Sequence, residues 1–268
     1  MDKILVVCVN YNSYEELNNY LLSIDNSASA VQGNNIVEVI IADNSSEKQD
    51  IDLNCFSRIS VKQVGLDNLG YLGGAQSVIN NIEDILQYKY VIVSNVDLEF
   101  KKDTLNKLLN YDICDDIAWV APDIYSEKFQ KGLNPNVLTR YKSWKLKLLK
   151  LTYNRYTYLL YERLYYAKKN KTSLSPICSE TDIYAGHGSC IILTSNFFKY
   201  YKQIHYPVFL YGEELFFAEL ILRKGMRVRY VPDIKVITTG GVSTSKMPSR
   251  SFFKYNIGAI NYILKTFY

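Results

Sequence analysis

Histidine is almost absent from this chain: His187 and His205 are the only two among 268 residues. A zinc site built wholly from protein side chains is therefore not expected. Cysteine is also scarce. Cys8, Cys55, Cys114, Cys178 and Cys190 form an odd, widely spaced set without a CxxC pair. This argues against a disulfide framework, and most of the five are expected to be small buried hydrophobes. No apolar run approaches the roughly 20 residues that span a bilayer. The opening MDKILVVCVNYNS lacks a small-residue cleavage site, so a secretory leader is not expected and a cytoplasmic location is. Glycine is missing from the first strand-to-helix turn, VNYNSYEE, which removes a dinucleotide fingerprint. No GxxxxGK followed by Ser or Thr occurs anywhere, which removes the P-loop enzymes.

What remains is a globular composition, 48% apolar and 22% charged, able to bury a sizeable core. Residues 4–9 (ILVVCV) form a continuous apolar run ending in Asn10-Tyr11-Asn12, as suits a strand buried on both faces. Ser13 and Glu16 read as a capping box, followed by Leu17, Tyr20, Leu21 and Ile24 at helical spacing. A second run, Val37–Ala42, ends in Asp43-Asn44-Ser45-Ser46. A glycine-rich turn over 65–74 leads into a helix with Ala75, Val78, Ile79, Ile82 and Leu86 on one side. A third run, Tyr90–Val93, ends in Ser94-Asn95-Val96-Asp97. The repeated strand, helix and polar strand end predicts an α/β fold with a doubly wound, mostly parallel sheet.

In open α/β sheets ligands bind outside the carboxyl ends of the strands. One polar strand end is ordinary turn chemistry. Three in succession, carrying Asn10, Asp43 with Asn44, and Asn95 with Asp97, point to a site on one rim. An acid at a strand end without a phosphate-cradling loop suggests a divalent cation, Mg²⁺ or Mn²⁺, completed by substrate phosphates. Asp97 is the leading candidate ligand.

Six segments, in order, resemble the family 2 glycosyltransferases of the GT-A fold. They are VNYNSYEEL (9–17), IIADNSS (40–46), DNLGYLGGAQ (67–76), VSNVDLEF (93–100), AGHGSCIILTSNFF (185–198) and FLYGEELFFAELILRKGMRVRYVPDIKVI (209–237). The subgroup most alike makes bacterial surface polysaccharides and includes rhamnosyltransferase-like enzymes. The resemblance implies a GT-A domain over 1–246, with helices on both faces of the sheet, a basic aromatic helical insertion at 138–171 and a C-terminal amphipathic helix at 247–268. It also implies a nucleotide-sugar donor of UDP-hexose or dTDP-rhamnose type, a divalent metal, and inverting transfer to a hydroxyl of a glycan or polyprenyl-linked oligosaccharide.

Residue by residue, Asp43 matches the acid that contacts the nucleotide base, with Asn44 beside it. Val9, Asn10 and Tyr11 match the strand end flanking base and ribose, and Asn68, Gly73 and Gly74 the loop near ribose and first phosphate. Asn95-Val96-Asp97 stands where the family carries its DxD-type motif, leaving Asp97 to hold the metal largely alone. Glu213 and Glu214 match the family's acid pair; Glu214 is expected as the base and Glu213 as a positioning group. His187 and Gly186 are expected at the sugar or acceptor. Thr238 replaces a common His ligand and is expected, with Lys246 in the segment 240–246, near the diphosphate. His205 is expected in a loop.

The formal charge of +4 hides an asymmetry: residues 138–171 carry ten Lys or Arg and one acid, +9, so the remainder is −5. Lysines and arginines there alternate with Trp144, Leu146, Leu148, Leu149 and Leu151, the composition of an interfacial helix on an anionic membrane surface. This predicts a peripheral location at the inner face of the plasma membrane. Nucleic acid is not an expected partner, because the rest of the chain is acidic; a homodimer is left open. The aromatic tail, Arg250–Tyr268, is expected to pack on the domain, on a second subunit or on the membrane. Two other readings stay open. One is a non-catalytic transferase-like subunit, suggested by Asn95 and Thr238. The other is a nucleotidyltransferase, which would want a basic, glycine-rich first turn that Asn10–Glu16 does not provide.

Overall fold

The computed structural model describes residues 2–154, 156–158, 160, 163, 178–239 and 249–268. The first run forms β1 (Lys3–Asn10) and leads into α1 (Tyr14–Ser29). β2 (Ile36–Asp43), β3 (Ser60–Gly65), α2 (Tyr71–Ile79) and β4 (Tyr90–Asn95) follow. Next come β5 (Leu98–Phe100), α3 (Thr104–Leu109), β6 (Ile117–Ser126), β7 (Lys131–Gly132) and α4 (Ser143–Thr152). The chain continues with β8 (Thr181–Ile183), β9 (Cys190–Thr194), α5 (Ser195–Tyr200), α6 (Glu213–Arg223), β10 (Arg227–Thr238) and α7 (Ser249–Phe267).

The strands make one sheet in the order β3-β2-β1-β4-β9-β6-β10-β5, with β7 on β6 and β8 on β10. Among the described residues β3, β2, β1, β4, β6 and β10, the six longest strands, all run in one direction. The expected mostly parallel α/β sheet is therefore present. β9 enters reversed between β4 and β6. Its five residues, CIILT, are all buried, so nothing in their pattern reveals direction.

Alternation assigns the two cores. In β1, Leu5 and Val7 face a cluster with α2, α5, α6 and α7, while Ile4, Val6 and Cys8 face α1 and α3. Both faces are covered, which is why the run contains no polar residue until its end. On α1, Leu17, Tyr20, Leu21, Ile24 and Ala28 are buried at helical spacing.

Several local expectations are corrected. The Ser13–Glu16 capping box does not form: Ser13 Oγ donates to the Tyr11 carbonyl at 3.2 Å, and no side chain caps α1. α2 starts inside the glycine segment and stops at Ile79, so Ile82 lies beyond it and Leu86 projects from a separate turn, 43% exposed. Only Cys8 and Cys190 are buried hydrophobes; Cys55, Cys114 and Cys178 are exposed. Leu146 of the basic insertion is buried and so is not available to an interface.

The C-terminal helix packs on the domain through Ala259, Ile260 and Ile263. Its end is clamped to α6 by a buried acid. Glu219, 1% exposed, accepts two bonds from Arg140 (2.8 and 2.9 Å) and one from the Tyr184 hydroxyl (2.6 Å). The Arg140 guanidinium stacks 4.2 Å from the Tyr268 ring, and Arg223 donates to the Thr266 carbonyl. Removing one partner of such a pair leaves the other desolvated and unpaired. Arg140→Ala, which strands the buried Glu219 carboxylate, is expected to cost about 3 kcal/mol, and Glu219→Ala, which leaves a partly solvated guanidinium, about 2 kcal/mol. Urea unfolding of the two variants measures both.

Candidate functional site

Register brings the polar strand ends together. Asn10 lies opposite Asp43, and Val9 opposite Asn95, at the carboxyl ends of β1, β2 and β4. β10 ends at the same rim, where Thr238 pairs with Leu98, the residue after Asp97. Because β9 is reversed, its first residue, Cys190, pairs with Ser94 and delivers the preceding His187-Gly188-Ser189 turn there as well. The Asn95 amide donates to the Ser189 carbonyl at 3.0 Å.

Asp43 is fully buried and organises this rim. Its Oδ1 accepts from Asn10 Nδ2 (3.2 Å), the Ser45 amide (3.2 Å) and Ser45 Oγ (2.6 Å). Its Oδ2 accepts from the Tyr14 hydroxyl (2.7 Å) and Gln63 Nε2 (2.9 Å). Burial alone would raise the carboxyl; the bonds from Ser45, Tyr14 and Gln63 outweigh it and hold the group below the usual range. This stabilisation is present above the unfolded-state pKa and is lost as pH falls through the folded one. Tyr14 and Gln63 carry no sequence signal of this role: Tyr14 reaches Asp43 from the start of α1, and Gln63 through the register of β3 on β2. A ligand reaching Asp43 has to displace Tyr14 or Gln63.

Beside this knot, Gly70 turns the chain into α2 with φ +77° and ψ −176°, a conformation open to glycine alone. A methyl group there would fall 1.8 Å from the Phe209 carbonyl oxygen. Gly70 offers α2 no side-chain cap, and the first-turn residues Tyr71, Leu72, Gly73 and Gly74 are buried beside the strand ends. Gly74 packs against Asn44 and Val9; Asn44 donates to the Gly70 carbonyl at 2.8 Å. Its buried Oδ1 has no partner among the described residues. Asn68 and Gly73 line a cavity of about 420 Å³ on the outer side of α2, shared with Gln76 and Phe209. Tyr11 is 43% exposed at the mouth of the first turn.

Asp97 Oδ1 is buried and has no hydrogen-bond partner among the described residues. Burial, with a smaller push from Glu16, raises this carboxyl, although bonds from its own amide, Asn95 and Thr238 offset part of the effect. An orphan carboxylate oxygen in a low-dielectric edge fits a hard cation. Among the described residues no group of three His, Cys, Asp or Glu converges on a metal position. A Mg²⁺ or Mn²⁺ here would depend on Asp97 and substrate oxygens, an arrangement common for Mg²⁺. Thr238 is buried against Asp97, where it orients the carboxylate; Lys246 lies outside the described residues.

The acid pair is presented by a strained turn. Tyr211 (φ +71°) and Gly212 (φ +80°) are consecutive left-handed residues before α6. The Tyr206 hydroxyl donates to the Tyr211 carbonyl at 2.6 Å, and Ala259 of α7 fills the space over Gly212. Glu213 lies on the Gly188 backbone, where an added methyl would sit 2.9 Å from Glu213 Oε1. The buried Tyr71 hydroxyl donates to the Gly188 carbonyl at 2.9 Å. Burial first, then the charges of Glu213 and Asp97 among others, pushes Tyr71 up. Burial raises both Glu213 and Glu214, and Glu214's charge raises Glu213 further.

His187 is neutral: burial lowers its pKa to about 4. Its Nδ1 accepts from the Ser189 amide at 3.3 Å and meets Ser189 Oγ at 2.9 Å, which assigns the ring proton to Nε2. Gly186 packs on Trp119 and Ala121 and faces no cleft. His205 lies in a loop, as expected.

Neither a family model nor a curated protein sequence matches the chain. Solved structures do. Residues 1–349 of TarS from S. aureus align with TM-score 0.55 at 12% identity over 97% of this chain and 65% of that one. A second TarS structure aligns with TM-score 0.51 at 13% identity, over 89% and 37%. The mannosyltransferase PcManGT from Pyrobaculum calidifontis, solved with GDP-Man and Mn²⁺, aligns with TM-score 0.52 at 11% identity, over 90% and 57%. The chain thus has the GT-A fold and spans less than two thirds of each of these proteins.

Buried acids with raised pKa values cost stability at neutral pH. Glu213→Gln is expected to stabilise the fold by about 2 kcal/mol near neutral pH. The gain should vanish in acid and grow as pH rises through the ordinary glutamate range, roughly 4.3. Thermal unfolding of both proteins across pH checks it.

Proposed function

We propose that the chain is a metal-dependent, inverting glycosyltransferase using a nucleotide-sugar donor. Its donor is of UDP-hexose or dTDP-rhamnose type, and its acceptor is a hydroxyl of a glycan or polyprenyl-linked oligosaccharide in surface-polysaccharide synthesis. The observation that carries this reading is the orphaned, buried Asp97 oxygen on the same rim as an acid pair of raised pKa. The fold shared with a mannosyltransferase solved with GDP-Man and Mn²⁺ supports it.

In this reading Val9, Asn10, Tyr11 and Asn44 flank the nucleoside, with Asp43 holding them in place from beneath. Gly73, Gly74 and Asn68 border the ribose and first phosphate, and Asn95 and Thr238 orient Asp97. When bound at Asp97, Mg²⁺ or Mn²⁺ supplies positive charge to the diphosphate leaving group. Glu214, with Glu213 beside it, accepts the acceptor hydroxyl's proton as that oxygen attacks the anomeric carbon and the bond to the diphosphate breaks. A raised pKa brings such a base nearer to neutrality and makes it stronger. His187 Nε2–H donates to a sugar or acceptor hydroxyl, and Gly186 sets the ring's position.

The test is release of nucleoside diphosphate from a panel of UDP-, dTDP-, GDP- and CDP-sugars, with Mn²⁺ or with chelator. One donor class should turn over, only with metal. Glu214→Gln and Asp97→Asn should each reduce the rate at least about a hundredfold. Turnover that survives both substitutions, or its absence for every donor, would overturn the reading; the latter leaves a non-catalytic subunit.

A further inference from the structure

We infer that α4 is a docking helix for an anionic lipid surface. This goes beyond sugar transfer and does not depend on it. The helix has two opposite faces. Leu146 is 1% exposed, and Leu149 and Tyr153 are half-buried against the domain. Trp144, Leu148 and Leu151 are 56%, 56% and 68% exposed. At 3.6 residues per turn these three fall in one narrow stripe, directly opposite Leu146. Lys147 borders the stripe on one side and Lys145 on the other. Tyr156 (89% exposed) and Leu160 (60%) continue the apolar exposure beyond the helix.

Charge selects the occupant. No Asp or Glu occurs between Glu127 and Glu162, while Lys142, Lys145, Lys147 and Lys150 lie on or next to the helix. Among the described residues none of these lysines is in an ion pair. An apolar stripe with Trp, bordered by lysines, matches a bilayer interface: the stripe enters the acyl boundary and the amines meet anionic headgroups. Three side chains on a ten-residue helix fall far short of the roughly 800 Å² per partner buried by a stable protein interface.

The seat is close to the acid pair. Tyr153, at the end of α4, packs 5.8 Å from Phe252 of α7, and Phe252 packs 5.6 Å from Tyr211. Tyr211 is two residues from Glu213. A docked helix therefore holds the acid-bearing turn near the lipid surface.

The test is co-sedimentation of the full chain with vesicles of phosphatidylcholine alone or with about one-third phosphatidylserine. Binding should need phosphatidylserine and weaken with salt. Trp144→Ser with Leu148→Ser and Leu151→Ser, and separately Gln at the four lysines, should each weaken it at least about tenfold with unchanged thermal unfolding. Wild-type binding to neither vesicle, equal binding to both, or full binding by either variant would overturn the proposal. So would self-association or RNA binding that the serine variant abolishes while vesicle binding persists.

Discussion

The rim rests on one buried carboxylate. Asp43 receives donors from the end of β1, the start of α1, the turn after β2 and the middle of β3. A charge at zero exposure is tolerated only because so many dipoles face it. Those bonds tie the first strand-to-helix turn, with its exposed Tyr11, to the ends of β2 and β3. If this knot is loosened, the strand ends no longer hold a common edge.

The opposite wall of the site is held by packing. Tyr211, a non-glycine residue in the left-handed region, has its carbonyl held by the Tyr206 hydroxyl, and Ala259 of α7 packs over Gly212 beside it. α7 is in turn fastened to α6 through Arg140, Glu219 and Tyr268. The last helix of the chain thus determines where the acid pair stands relative to Asp97. Desolvation raises the carboxyls of Asp97, Glu213 and Glu214, a cost to stability that three acids on one rim share.

Much of this was legible in the sequence where a local rule applied. Apolar runs ending in Asn or Asp, the second interrupted by Glu38, announced β1, β2 and β4, and the rim follows from their common direction. Glu213-Glu214 opening a helix was equally visible. The reversed β9 was not, because a wholly apolar five-residue strand carries no sign of direction. Nor were Tyr14 and Gln63, which meet Asp43 only after strand pairing. The exposed face of α4 required knowing that the domain covers Leu146. The capping box failed because Ser13 turned back to the Tyr11 carbonyl, a competing bond that short polar side chains readily make. Gly186 was expected at the sugar or acceptor, yet a Cβ there would meet Trp119 and Ala121.

In the proposed function the strand ends, the glycine turn and the acid-bearing turn form one preformed donor site. Hydrogen–deuterium exchange of the full chain, with and without the nucleotide-sugars of the donor panel and Mn²⁺, tests it most directly. One donor class should slow exchange at 10–14, 43–46, 68–74, 95–97 and 211–214 together. Protection confined to α4 or to the cavity beside α2, or none with any donor, would contradict it.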